Sequence, residues 1–206
     1  MFGYLKQALI EQFKLPRGAF GALAGHMMAR KNRERIRWAV SEMNIRSGDR
    51  VLEIGYGPGT AIAEIFKQTP NCRVSGTDPS DVMYAQAERK NRRHVEAKNL
   101  RLRALAAADY DGQDGPFDLI FGINVFPFCP DPAGLVRKSV SWLKSGGRLV
   151  IVHQVPMKSV EPAFIDAKES EFSTWQSQSG LHISRQHRLP AKPNPVLFIE
   201  GFKPDC

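Results

Sequence analysis

The chain has 206 residues, 42% of them hydrophobic and 24% charged, which suits a globular protein of one domain with at most a small appendage. Its formal charge of +8, from 29 Lys and Arg against 21 Asp and Glu, is scattered over several segments, so it reads as a solvated basic surface and no nucleic-acid partner is expected. Three cysteines, Cys72, Cys129 and Cys206, with no CxxC pair argue against disulfide scaffolding and structural zinc and suit a reducing cytoplasm; with no apolar run of about 18 residues and no signal-peptide pattern, neither a membrane span nor secretion is expected.

Along the chain, Phe2, Leu5, Leu9 and Phe13 recur at helical spacing over residues 1–15, the pattern of a short amphipathic helix. Pro16 and Gly18 break it. Residues 17–28 mix three glycines with Phe20, Leu23, Met27 and Met28, which suits a lid over a pocket. A second helix is expected over 29–45, with Ile36, Ala39, Val40 and Met43 on its apolar face. From there the pattern alternates. Strands are expected at 50–55, 72–78, 99–105, 117–124 and 147–153, with helices at 60–68, 80–96 and 132–144 between them. Such alternation predicts parallel βαβ units, hence an α/β, Rossmann-like, doubly wound and mostly parallel sheet with helices on both faces. A helix over 160–178 follows. Two strands, Leu181–Arg188 and Val196–Phe202, are joined by the proline-rich Leu189–Pro195, which predicts a C-terminal antiparallel hairpin. The expected organisation is a helical lid segment over 1–31 and one catalytic domain over 32–206.

Ligands of open α/β sheets lie beyond the C-terminal strand ends. The first strand runs Val51-Leu-Glu-Ile54 into Gly55-Tyr56-Gly57-Pro58-Gly59, and a helix begins at once. Glycines there allow a sharp turn and close backbone approach to a ligand. Glu53 stands in the apolar run, where a carboxylate needs a polar partner. The second strand ends in Asp78, placed to accept hydrogen bonds from ribose hydroxyls about 20 residues after the glycines. Asp78 also suits a helix cap, and both roles hold if Ser80 does the capping. Asn124, Phe126 and Phe128 follow the fourth strand, and either phenylalanine serves equally as core. His153 stands near the ligand end of the fifth strand, where a lone histidine is more commonly a satisfied polar residue than a catalyst.

VLEIGYGPG (51–59), VSGTDPSDVM (74–83), GPFDLIFGINVF (115–126) and LKSGGRLVI (143–151), in this order and spacing, resemble the motifs of a class I S-adenosylmethionine-dependent methyltransferase. The closing helix and hairpin match the antiparallel edge of that family, and the resemblance covers about residues 33–203. It implies that Glu53 holds the methionine amino group. It further implies that Gly55, Gly57 and Gly59 bring backbone to the amino-acid part, that Asp78 binds the ribose and that Met83 packs on adenine. Asn124 would sit near the transferring methyl group. The acid often found near the adenine amine is replaced by Ala106, Ala107 and Ala108, so either Asp109 reaches the adenine or backbone around Ala107 does.

The implied reaction is in-line methyl transfer, which needs alignment and exclusion of water above all. A general base is needed only for an acceptor that must lose a proton; His26 and His153 are candidates, and Tyr56 is a candidate for orienting donor or acceptor. No metal-ligand set competes with this reading. The apolar and aromatic residues Phe13, Phe20, Met27, Met28, Phe126 and Phe128 imply a small apolar or aromatic acceptor. The alternative is a phospholipid N-methyltransferase, with the amphipathic helix and positive charge at a membrane surface. A monomer and a homodimer both suit the chain.

Overall fold

A computed structural model describes residues 33–155 and 159–205. The expected amphipathic helix and lid (1–31), with His26, Phe13, Phe20, Met27 and Met28, lie outside the described residues, as does Cys206. The elements in chain order are α1 (Arg33–Glu42), β1 (Arg50–Ile54), α2 (Thr60–Gln68), β2 (Arg73–Asp78), α3 (Asp81–Lys90), α4 (Arg92–Glu96), β3 (Leu100–Ala104) and β4 (Phe117–Ile123). A 3-10 turn (Phe126–Phe128) leads to α5 (Pro132–Trp142), β5 (Leu143–Gln154), α6 (Pro162–Gln178), β6 (His182–Leu189) and β7 (Val196–Phe202). Among the described residues no helix is long and apolar enough to cross a membrane.

The strands form one sheet in the order β3-β2-β1-β4-β5-β7-β6. β1 to β5 pair in parallel, and β7 lies antiparallel between β5 and β6. The expected hairpin is therefore present, and its second strand inserts next to the parallel set. The order reverses between β1 and β4, which opens a crevice at their C-terminal ends. Side chains alternate along the central strands and feed two apolar layers. One gathers Val51, Val74 and Phe121 against Ala39, Val40, Ile62, Ile65, Met83 and Ala87 of α1 to α3. The other gathers Leu52, Ile54, Ile120 and Ile151 against Leu135, Val136, Ile165 and Phe172 of α5 and α6.

Two boundaries differ from expectation, each for a tertiary reason. The single helix expected over 80–96 breaks at Asn91, a buried residue whose side-chain amide donates to Gly59 O at 3.1 Å and Ala87 O at 3.0 Å. That amide ties the end of α3 to the glycine turn instead of continuing the helix. The fifth strand begins at Leu143, earlier than expected, so α5 stops at Trp142. Leu143 pairs with Phe117 and Arg148 with Leu119, leaving a bulge at Lys144–Gly147. A Cβ on Gly147 would lie 2.9 Å from Phe117 O, so the bulge requires glycine there.

Candidate active site

The glycine turn is built by backbone conformation. Gly55, Gly57 and Gly59 have φ of +70°, +50° and +70°, a left-handed region that costs other residues roughly 1–2 kcal/mol each. A Cβ on Gly55 would lie 2.3 Å from Val125 Cγ2, and one on Gly59 would lie 2.6 Å from Asn91 Nδ2. At Gly57 a Cβ would meet nothing within 4 Å, so the space over the turn is open there. The turn thus touches the segment after β4 on one side and α3 on the other.

Glu53 stands one residue before the end of β1 and is 2% exposed. By strand alternation it faces the same layer as Val51. Its Oε2 has no hydrogen-bond partner among the described residues. Burial, and then the negative charge of Asp78, push its pKa well above the ordinary glutamate value, opposed by Lys90. An unpartnered buried carboxylate is costly unless a cation meets it.

Asp78 ends β2 and is oriented from both sides. Its Oδ2 accepts the Gly57 N–H at 2.9 Å and its Oδ1 accepts the Ser80 N–H at 3.0 Å. Burial raises its pKa, while these two N–H groups hold it down. The cap of α3 is Ser80, whose hydroxyl accepts the Met83 N–H at 3.4 Å. Asp78 is therefore free of the helix-capping duty. Met83 is buried in the first turn of α3, within the layer under α1 to α3.

Asn124 follows β4 directly, with φ of +57°. Its side-chain oxygen accepts the Gln154 N–H at 2.8 Å and its own N–H donates to Val152 O at 2.8 Å. It clasps the ends of β4 and β5 together. Ala107 sits half-buried in the turn after β3, where the Asp109 and Tyr110 N–H groups donate to Ala106 O. That loop is pinned by buried Asp114, which accepts from Arg103 and Arg101 at 3.0 Å and from the Tyr110 hydroxyl at 3.1 Å. Asp109 itself is exposed.

Two aromatic residues take other places than the sequence suggested. Tyr56 is fully buried, packs on Gly76, and donates its hydroxyl to Arg103 O at 3.1 Å. Burial raises its pKa beyond reach of proton transfer near neutrality. It braces the glycine turn against β2 and β3, and the orienting role for donor or acceptor is withdrawn. Phe126 is fully buried, facing Gly122, so it belongs to the core. Phe128, two residues on, is 47% exposed and meets the His153 ring edge-on at 6.1 Å.

His153 is 3% exposed and packs edge-on with Phe172 as well, at 5.5 Å. Its Nδ1 has no partner among the described residues. Burial, and then Lys168, pull its pKa down to about 4. The ring is neutral at physiological pH and far weaker than a general base matched to neutral pH, so the base role is withdrawn for His153. The donor of a hydrogen bond or an apolar wall is the chemistry this environment allows.

The sequence alone singles out no role for Lys90, the last residue of α3. It is exposed, and donates to Thr60 Oγ1 at 2.8 Å beside the glycine turn. The spacing from Gly59 to the end of the following helix holds that signal only once α2 and α3 are known to touch.

A methyltransferase-domain family model matches residues 52–149. The chain is 26% identical over 132 residues to the uncharacterized methyltransferase YdaC of Bacillus subtilis (strain 168), covering 64% of this chain and 71% of that one. It is 36% identical over 113 residues to a trans-aconitate 2-methyltransferase of Azoarcus sp. (strain BH72), covering 55% of this chain and 41% of that one. The second match thus spans less than half of that relative's length. Among solved structures, one of a complex between the Haloferax volcanii Trm112 methyltransferase activator and a putative methyltransferase superposes with a TM-score of 0.73. It is 18% identical, and the match covers 90% of this chain and 95% of that one.

Proposed function

We propose that the chain is a class I S-adenosylmethionine-dependent methyltransferase that methylates a small molecule bound over the C-terminal ends of β4 and β5. The observation that carries this reading is the unpartnered, buried carboxylate of Glu53 beside a glycine turn with open space at Gly57 and an oriented acid at Asp78. These groups fit an ammonium, a ligand lying close against the main chain of the turn, and a vicinal diol, all of which the donor offers.

S-adenosylmethionine supplies, when bound, a sulfonium methyl group with a neutral thioether as its leaving group. Glu53 accepts from the amino group of the tail. The turn at Gly55, Gly57 and Gly59 lets main-chain N–H groups approach, and Asp78 fixes the ribose. Met83 and the backbone near Ala107 bound the adenine, and Asn124 borders the reacting end. A donor held at several points leaves alignment with the acceptor as the main catalytic task, where pre-paid orientation contributes several kcal/mol. Phe128, exposed and edge-on to His153, offers an apolar surface to the acceptor. Neutral His153 offers a hydrogen bond or an apolar wall to the acceptor rather than removing its proton.

The acceptor is small and in part apolar. The exposed ring of Phe128 beside His153 supports that, and the Azoarcus relative is named for trans-aconitate, also a small molecule. Calorimetry with S-adenosylhomocysteine and NAD tests the donor site: binding of the sulfur ligand is expected, and tight NAD binding without it overturns the reading. A membrane lipid is the alternative acceptor, and failure of the full chain to pellet with anionic liposomes removes it.

A further inference from the structure

The tetrapeptide Arg-Lys-Asn-Arg occurs twice in the chain, at 30–33 and 89–92. The fold brings the end of the first run to the second. Arg33 opens α1, Lys90 and Asn91 stand where α3 gives way to α4, and all three border one cleft of about 300 Å³. Thr60, Ala63, Glu64 and Lys67, which share one face of α2 by their spacing, line it as well. Glu53, Asp78, Asn124 and His153 do not line it, so it is a second concavity beside the candidate active site.

The walls of this cleft are held in place. The buried Asn91 amide donates to Gly59 O at 3.1 Å and Ala87 O at 3.0 Å. The His94 ring stacks on Phe66 with centroids 3.8 Å apart and planes within 5°. The charges are out of balance. Arg33, Lys67, Lys90 and Arg93 face the cleft, and among the described residues Glu64 is its one acid. Glu64 is already engaged by Arg37 at 3.6 Å, Lys67 at 3.5 Å and the Gln68 amide at 3.1 Å. Lys90 is left with the Thr60 hydroxyl at 2.8 Å and Arg93 with His94 Nε2 at 3.1 Å, both uncharged acceptors. Arg33 forms no ion pair among the described residues.

Cations gathered around one concavity repel one another until an anion joins them. Two guanidinium forks and an ammonium approaching from α1, α3 and α4 suit an anion with several oxygens and more than one charge, which a phosphate group has and a single carboxylate lacks. The cations surround a cleft and do not form a stripe, so the unit they suit is one phosphate group and not an extended backbone. We propose that this cleft binds a phosphate group, carried either by a lipid headgroup or by a free phosphorylated small molecule. The site is independent of the donor reading, which uses none of Arg33, Lys67 and Arg93.

Two probes test it on the full chain. Inorganic phosphate is titrated against amide chemical shifts, with sodium chloride at equal ionic strength as reference. Phosphatidylcholine vesicles with and without phosphatidic acid are then pelleted with the protein. Phosphate should give saturable shifts in α2 and at the α3–α4 junction that chloride does not reproduce. Arg33→Gln and Arg93→Gln, both at exposed positions, should each weaken phosphate roughly 3-fold, and together roughly 10-fold, the range of exposed charge-assisted contacts. Arg137→Gln, the same charge change on α5 in the other layer, should leave phosphate affinity as in wild type. Pelleting that needs phosphatidic acid and is lost in the double variant assigns the lipid headgroup; saturable phosphate binding without pelleting assigns the free molecule. Chloride shifts equal to those of phosphate, or an equal loss in Arg137→Gln, overturn the site. So does the absence of both saturable phosphate binding and phosphatidic-acid-dependent pelleting, including the case where a single-stranded oligonucleotide binds in their place.

Discussion

Replacing Glu53 by glutamine keeps the shape of a 2% exposed side chain and removes its charge. Burial and Asp78 raise the pKa of Glu53 in the ligand-free fold. A folded pKa above the unfolded one means that the protonated carboxyl contributes stability that is fully present below the ordinary glutamate range. That stability is lost as pH rises through the raised value. A single group changes stability by at most about 1.4 kcal/mol per pH unit in that window. In a domain of this size each kcal/mol moves Tm by about 2–4 °C. Ligand-free Glu53→Gln should therefore melt with wild type near the acid end of the window, and above it by several degrees once the pH has passed the raised pKa. Ligand reverses the order. A hydrogen bond from an ammonium to this carboxylate is worth roughly 1.5–3 kcal/mol, so the variant should lose roughly 10- to 150-fold in affinity for S-adenosylhomocysteine. It should bind 5′-methylthioadenosine, which lacks the tail, as wild type does. Thermal melts across the pH series and titration calorimetry measure both halves. Parallel melting curves of the two proteins at every pH, or an equal loss for both ligands, would refute the reasoning.

Asp78→Asn should weaken S-adenosylhomocysteine and methylthioadenosine alike, by roughly 1–3 kcal/mol in calorimetry, because the ribose is common to both; a loss confined to one ligand contradicts the assignment. Gly55→Ala combines a left-handed φ of +70° with a Cβ placed 2.3 Å from Val125, and should cost roughly 2–4 kcal/mol in urea unfolding; unchanged stability would mean that the turn has another conformation. Tyr56→Phe removes the bond to Arg103 O and should cost about 1 kcal/mol of stability with kcat/KM almost intact, whereas a collapse of kcat at constant Tm would return the hydroxyl to the chemistry. Phe128→Ala, at a ring 47% exposed over His153, should raise KM for the acceptor without altering donor affinity, and a change in donor affinity alone would move Phe128 off the acceptor side.

The features legible in the sequence were those encoded locally. Alternating apolar runs announced the parallel strands, the proline-rich linker announced the hairpin at the sheet edge, and the glycines and Asp78 of the candidate site stand at strand ends. Ser80 as cap followed from its position before α3. The misses all depend on residues far apart in the chain. Asn91 breaks a helix because its amide reaches Gly59. Tyr56 turns inward because Gly76 leaves room for its ring and Arg103 offers a carbonyl. Phe126 and Phe128 differ in fate because a 3-10 turn buries the first and exposes the second. Lys90 gave no signal, since its partner Thr60 comes from another part of the chain.

A crystal structure of the full chain with S-adenosylhomocysteine tests the central claim most directly. The account predicts the ligand's amine on Glu53, its ribose hydroxyls on Asp78 and its sulfur facing the mouth between Asn124 and Phe128. A ligand bound elsewhere, or one whose amino-acid tail points away from Glu53, would contradict it.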